Sequence, residues 1–261
     1  MTPRSRKPLY ALWLLLAVAG WLPAATAPAD EHATGHPAWS YSGPTGPEHW
    51  KDVSPETAVC GLGKHQSPID IRDTAKAKLP AIEFHYASAP LRVIDNGHTV
   101  MVSYAPGSTI VVDGKSYELQ QFHFHEPSEE LVRGHAYPLV AHLVHKNAQG
   151  ELAVVAVLLK QGNANAFLAS IWKNLPAAKD VENAPAGVSI NVADLLPARH
   201  GYYTYTGSLT TPPCSENVTW FVLKLPADAS AGQIEMFRTH YSHNARPVQP
   251  LNDRTVRETV D

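Results

Sequence analysis

The sequence predicts a predominantly β single domain with short surface helices, and three observations carry that reading. Strand-type alternation, punctuated by tight-turn dipeptides, dominates the middle of the chain. One run, residues 151–160, is too continuously apolar for a half-exposed strand and reads as a central strand buried on both faces. Only two segments carry helical patterning, and 22 prolines suit a loop-rich surface around a sheet. With 261 residues, 44% of them hydrophobic, the chain can bury one large core or two small ones. No repeat shows at periods of about 20–50 residues.

In chain order, residues 91–94 run into the turn Asp95-Asn96-Gly97, and alternation resumes over 98–104. Residues 108–112 lead to Asp113-Gly114, a strong hairpin signal, and a strand follows from Tyr117 onward. Residues 139–145 form another strand, after a turn-like stretch over 133–138. Gln149-Gly150 turns the chain into the apolar run at 151–160, and the runs 202–205 and 218–225 complete the strand inventory. Between them, residues 165–175 place apolar side chains at 167, 168, 171, 172 and 175, a helical face ended by Pro176. Ser230-Ala231-Gly232-Gln233 matches a capping box and opens a helix to about His240.

The two ends and the charge narrow the function classes. Arg4, Arg6 and Lys7 precede a 14-residue apolar run over 9–22 and then small residues, the pattern of a secretory signal peptide over residues 1–29. The run is short for a membrane span, so no stable membrane anchor is expected. Residues 30–38 read as a flexible leader and 39–261 as the domain. Without residues 1–29 the chain carries 18 basic against 24 acidic groups, a formal charge of −6, which disfavours nucleic acid as a partner. Cys60 and Cys214 are the only cysteines. In an exported protein such a pair suggests one disulfide, and without C-x-x-C spacing a metal role is weak.

The chemistry gathers at residues 121–130, Gln-Phe-His-Phe-His-Glu-Pro-Ser-Glu-Glu. Side chains alternate along a strand, so His123 and His125 project to one side. If the strand at 139–145 pairs beside it, His142 closes a triangle of three imidazoles over one point. By themselves these histidines fit a structural cluster or an adventitious metal site as well as a catalytic one.

The wider set of motifs decides between them. Trp39-Ser40-Tyr41, Gly46-Pro47-Glu48-His49-Trp50, Gln66-Ser67-Pro68-Ile69-Asp70-Ile71, Asn96-Gly97-His98 and Gln121-Phe122-His123-Phe124-His125 occur in that order. Ser128-Glu129, His142-Leu143-Val144-His145, the run 205–213, Trp220 and Asn244-Ala245-Arg246-Pro247 follow. Over residues 39–261 the chain resembles an α-class carbonic anhydrase of the bacterial, exported type. The resemblance implies a large, twisted, mostly antiparallel central sheet of about ten strands with short peripheral helices. It implies reversible hydration of carbon dioxide to bicarbonate and a proton by a zinc-bound hydroxide, with a possible side esterase activity. One zinc ion per chain is expected on His123, His125 and His142, in a monomer or homodimer that is periplasmic or secreted.

Residue roles follow from the same resemblance. Thr210 would orient the hydroxide and Glu129 would accept the Thr210 proton; a hydroxyl has one donor, so Thr210 could then only accept on its other side. His98 matches the proton shuttle, and Tyr41 and Asn96 match groups that order the intervening water. Val144, Val154, Leu209, Thr211, Val218 and Trp220 match the substrate pocket. Gln121 and the main-chain carbonyl of Asn244 match the hydrogen-bond partners of His123 and His125. One position departs. Two residues before the third ligand many relatives place a glutamate that receives the imidazole proton, and Val140 stands there. His142 is therefore expected to lack its partner, and zinc to leave faster than in glutamate-bearing relatives.

Overall fold

The alternating segments assemble into one mixed sheet in the computed structural model, which describes residues 39–260. The expected signal peptide (1–29) and leader (30–38) lie outside those residues. Thirteen strands form the sheet: β1 (Thr74–Ala77), β2 (Glu83–His85), β3 (Val93–Asp95), β4 (Val100–Ser103), β5 (Thr109–Val112), β6 (Lys115–His125), β7 (Leu139–Lys146), β8 (Leu152–Gln161), β9 (Glu182–Asn183), β10 (Tyr202–Ser208), β11 (Glu216–Leu223), β12 (Ala227–Ala229) and β13 (Val256–Thr259). Their main order is β9-β3-β4-β6-β7-β8-β11-β10-β13-β1. β5 pairs with β6 and carries β2, while β12 pairs with β8. The sheet is larger than the expected ten strands because short edge strands extend it. It is also more mixed, since β8 runs parallel to both β11 and β12, and β13 runs parallel to β1.

β8 is the central strand its composition demands. It lies between β7 and β11, and residues 153–159 are all buried. Ala153, Val155, Val157 and Leu159 enter one apolar cluster, and Val154, Ala156 and Leu158 enter another on the opposite face. β7 divides likewise: Leu139, Ala141 and Leu143 join the first cluster, whereas Val140 and Val144 join the second, beside His142. Each face of the sheet thus has its own core, and the metal-ligating candidates occupy the second.

Plain alternation would fail on β6. Gln121 pairs with Val144 but Leu119 pairs with His145, so Gln120 is an extra residue, a β-bulge. The bulge reverses the facing of everything before it. Tyr117 and Leu119 therefore share the first cluster with Phe122 and Phe124, while Gln121, His123 and His125 turn to the other side.

The helices are peripheral. Helix Ala166–Trp172 is capped by the Asn165 side chain, which accepts from the Phe167 and Leu168 N–H groups. It stops short of residue 175: the Asn174 N–H turns to the Ile171 carbonyl in a tighter turn, and the Asn174 side chain donates to the Ser170 carbonyl. Helix Ala231–His240 carries the expected capping box, with Ser230 Oγ accepting from Gln233 N–H and Gln233 Oε1 accepting from Ser230 N–H. No helix among the described residues is long and apolar enough to cross a membrane. A small separate sheet pairs Asp70–Ile71 with Leu131–Val132 and so anchors the chain just after Glu129 and Glu130.

Candidate metal centre

His123 stands directly opposite His142 in the β6–β7 register, and His125 lies two residues further along β6. One ring nitrogen from each of the three lies within 4.8 Å of the others. Hydrogen bonds decide which nitrogen each ring offers. Nδ1 of His123 donates to Gln121 Oε1 at 2.8 Å, and Nδ1 of His125 donates to the Asn244 carbonyl at 2.7 Å. Both rings therefore hold their proton on Nδ1 and keep a lone pair on Nε2. The His125 Nε2 is buried and has no hydrogen-bond partner. His142 is turned the other way: its Nε2 lies 3.1 Å from Glu130 Oε1 and 3.2 Å from Oε2, which leaves Nδ1 for a metal.

This donor set fits a metal ion, and zinc in particular. Three imidazoles with fixed tautomers converge, and three neutral nitrogen donors are a set that zinc accepts. Burial holds His123 at about 3 and His125 well below the usual imidazole value, with the neighbouring histidines adding to the effect, so both are neutral. At His142 burial acts downward too, but the Glu130 and Glu129 carboxylates outweigh it and raise the pKa. Metal binding there competes with a proton.

The expectation that His142 lacks a partner is overturned. Val140 sits fully buried among apolar side chains, as the sequence has it, yet a carboxylate reaches His142 from Glu130, twelve residues away in the chain. The expected faster zinc loss therefore loses its basis. Glu130 was the site residue that the sequence reading missed. Its one signal was a second acidic residue beside Glu129 in a stretch that folds inward.

Glu129 is buried with Glu130 at the floor of the centre. Its Oε1 accepts from the Arg246 main-chain N–H at 2.8 Å, and its Oε2 lies 3.5 Å from His125 Nε2 and 3.7 Å from His142 Nδ1. Burial raises its pKa to about 7, with Glu130 adding to the rise; His142, the Arg246 N–H and the Thr210 hydroxyl act against it. A divalent cation in the adjoining site would favour the ionised form. Thr210 is buried in the turn between β10 and β11. Two main-chain bonds shape that turn, Leu209 N–H to Ser215 O at 3.0 Å and Cys214 N–H to Thr211 O at 2.8 Å.

The remaining expected residues fall into three groups. Val154, Val218 and Trp220 belong to the second cluster, with Val144 and Leu209 packed against it, and the Trp220 ring meets His142 edge-on at 4.9 Å. Thr211 is half-buried in the Thr210 turn. His98 follows the β3 turn and stacks flat on Trp39, with ring centroids 3.7 Å apart. Burial and then the Lys179 charge lower its pKa, while Asp180 acts the other way. Asn96 shapes that turn, its Oδ1 accepting from the His98 and Thr99 N–H groups. Tyr41 packs edge-on against Trp39 and Trp50, and burial followed by the Glu129 charge raises its pKa well above the usual phenol value. Asn244 ties these parts together: its carbonyl holds His125, and its side-chain amide donates to the main-chain carbonyls of His98 and Phe124.

A frame outside the metal centre holds the Thr210 and Glu129 loops. Cys60 and Cys214 form a disulfide across 154 residues. The buried Arg246 guanidinium donates to the Ser67 and Cys60 carbonyls, both at 2.7 Å, and lies 5.5 Å from the Trp50 ring centroid. Ser67-Pro68, Glu126-Pro127 and Pro212-Pro213 are cis.

Residues 45–260 match the family described as eukaryotic-type carbonic anhydrase. A carbonic anhydrase of Pectobacterium carotovorum is 44% identical over 226 residues, covering 86% of this chain and 92% of the relative. Among solved structures, the α-carbonic anhydrase of Thermovibrio ammonificans in complex with the inhibitor sulfanilamide superposes with a TM-score of 0.82 at 45% identity, covering 85% of this chain and 100% of that one. The α-carbonic anhydrase of Photobacterium profundum gives a TM-score of 0.80 at 44% identity, with the same coverage.

Proposed function

The chain belongs to the eukaryotic-type, or α-class, carbonic anhydrase family, and on that premise we propose that it hydrates carbon dioxide reversibly to bicarbonate and a proton at a zinc ion held by His123, His125 and His142. The observation that carries the proposal is the convergence of three imidazole lone pairs whose other nitrogens are all engaged. When bound, zinc would supply a Lewis acid that brings the pKa of water into the neutral range, a known property of this family.

The chain's own residues supply orientation, access and proton transfer. With the Thr210 hydroxyl donating to Glu129, its oxygen can only accept from the reacting group, so it selects a ligand that still carries a proton. The Arg246 N–H holds Glu129 for that task. Val144, Val154, Leu209, Val218 and Trp220 offer carbon dioxide an apolar wall, and the Thr210 main-chain N–H and Thr211 lie at its polar edge. His98 carries the product proton outward through water ordered by Tyr41 and Asn96, since an imidazole whose pKa burial lowers from the ordinary histidine value can both accept and release it. The disulfide supports an oxidising compartment, and with the signal-like start of the chain it favours the periplasm or the outside of the cell. An activated ester could meet the same nucleophile as a side reaction. A ligand-binding relative without hydratase activity is the competing reading, and the intact three-histidine set argues against it.

Substitution at Thr210 tests the orientation. Thr210→Val should lower kcat/KM for carbon dioxide hydration by roughly 10–100-fold with zinc content unchanged. Thr210→Ser, which keeps the hydroxyl, should restore most of it. Equal rates in the threonine and valine proteins would remove Thr210 from the mechanism.

A further inference from the structure

We propose that Glu130 is the positioning carboxylate of this metal centre, standing in from a different segment for the glutamate that residue 140 does not provide. The inference rests on the zinc reading above and deepens it. Both Glu130 carboxylate oxygens lie within 3.2 Å of His142 Nε2, and the side chain is fully buried. Among the described residues no lysine or arginine pairs with it, and His142 is its one ionic partner. A buried carboxylate without a partner is costly, and here the imidazole N–H donates to Oε2 while Oε1 stays in ionic range with no hydrogen bond of its own. The main chain is fixed at the same place. Ser128 Oγ donates to the Glu130 carbonyl at 2.8 Å, and the next two residues pair with Asp70–Ile71.

Val140 completes the argument from the other side. It shares the His142 face of β7, is fully buried, and packs in the cluster formed by Ile69, Val154 and Leu158. A glutamate there would add a third buried carboxylate to Glu129 and Glu130, and like charges at such range oppose each other strongly. One carboxylate serves one imidazole, so Glu130 and Val140 form a compensated pair. The adjacent residues Glu129 and Glu130 then divide the work, Glu129 toward Thr210 and Glu130 toward His142.

Zinc release to a chelator, followed in the intact zinc-loaded protein, tests the assignment. Wild type should hold one zinc per chain; failure at that step would sink the metal reading itself. Glu130→Gln should release zinc about 10–100-fold faster. Val140→Glu alone should release it no more slowly than wild type, and Glu130→Gln/Val140→Glu should return toward the wild-type rate. Melting temperatures with and without zinc separate positioning from plain structure: the zinc-dependent part of the shift should shrink in Glu130→Gln, whereas a structural role would lower both forms alike. Should the variants not fold, histidine-labelled NMR of the zinc-loaded wild type still decides. A downfield, slowly exchanging Nε2 proton on His142 supports the bond to Glu130. Its absence overturns the proposal, as does Glu130→Gln releasing a full complement of zinc at the wild-type rate, or Val140→Glu releasing it more slowly than wild type.

Discussion

Replacing both half-cystines in a Cys60→Ala/Cys214→Ala protein should cost stability first and activity only through it. The bridge spans 154 residues, and the loop-entropy model gives about 5 kcal/mol for a closure of that length, an upper figure because native-state strain and residual unfolded structure reduce it. Taking about 2–5 kcal/mol, and about 2–4 °C per kcal/mol for a chain of this size, the melting temperature should fall by about 4–20 °C. The bonds that shape the Thr210 turn do not involve sulfur. Leu209 N–H to Ser215 O, Cys214 N–H to Thr211 O and the Gln66 side chain to Cys214 O at 3.0 Å all survive the substitution. Hydration activity at 25 °C should therefore fall much less than the stability does. Calorimetry of the zinc-loaded proteins at matched concentration is the assay. A melting temperature within about 2 °C of wild type would refute the stability reasoning. Activity lost while the melting temperature holds would refute the claim that the turn is shaped by its own hydrogen bonds.

Two further outcomes follow from the titrating groups. His98→Ala should lower kcat in weak buffer by about 10²-fold, leave kcat/KM unchanged, and be rescued by added imidazole. In wild type, kcat should rise with pH through a pKa below the ordinary histidine value, since burial and Lys179 lower it and the shuttle must be neutral to accept a proton; an unchanged kcat in weak buffer would exclude His98. His145, among the described residues the one buried histidine outside the metal set, meets the Tyr86 hydroxyl at Nε2 at 2.8 Å. Burial lowers its pKa to about 4, with the main-chain groups of Ala153 and Leu143 offsetting part of the shift. The unfolded chain then binds the proton first as pH falls, so about 3 kcal/mol of stability is present above pH 6.5 and is lost on the way to pH 4. Urea unfolding of the metal-free protein from pH 4 to 7 should be less pH-dependent in His145→Gln than in wild type, and parallel curves would contradict the assignment.

The centre of the sheet was legible because long strands leave a long record. β6, β7 and β8 are 11, 8 and 10 residues, enough for alternation or continuous burial to stand out, and Asp113-Gly114 marks the hairpin. Strands of two to four residues leave no period to read, and this is why β1, β2, β9 and β13 were invisible. Nothing about Gln120 announces a bulge, because which face a residue takes depends on where the partner strand loses register. At the metal centre the strand period puts His123 and His125 on one side, strand pairing adds His142, and the two cysteines suggest the disulfide; reading the three histidines as a zinc site needed the family resemblance. Glu130 was not readable. A search two residues upstream of His142 stays within one strand, whereas the carboxylate arrives from a loop held by the small sheet. Arg246 shows the same limit: its partners Cys60 and Ser67 lie about 180 residues away, and only the closed fold brings them together.

Hydration of carbon dioxide by this chain should depend on a zinc ion held by His123, His125 and His142. Stopped-flow hydration, measured on the protein as isolated, after zinc removal, after zinc is restored, and on His142→Ala, tests it most directly. Hydration should be rapid, disappear with the metal, return with it at one zinc per chain, and be absent in His142→Ala. A wild-type protein carrying one zinc per chain yet no faster than the uncatalysed reaction would contradict it.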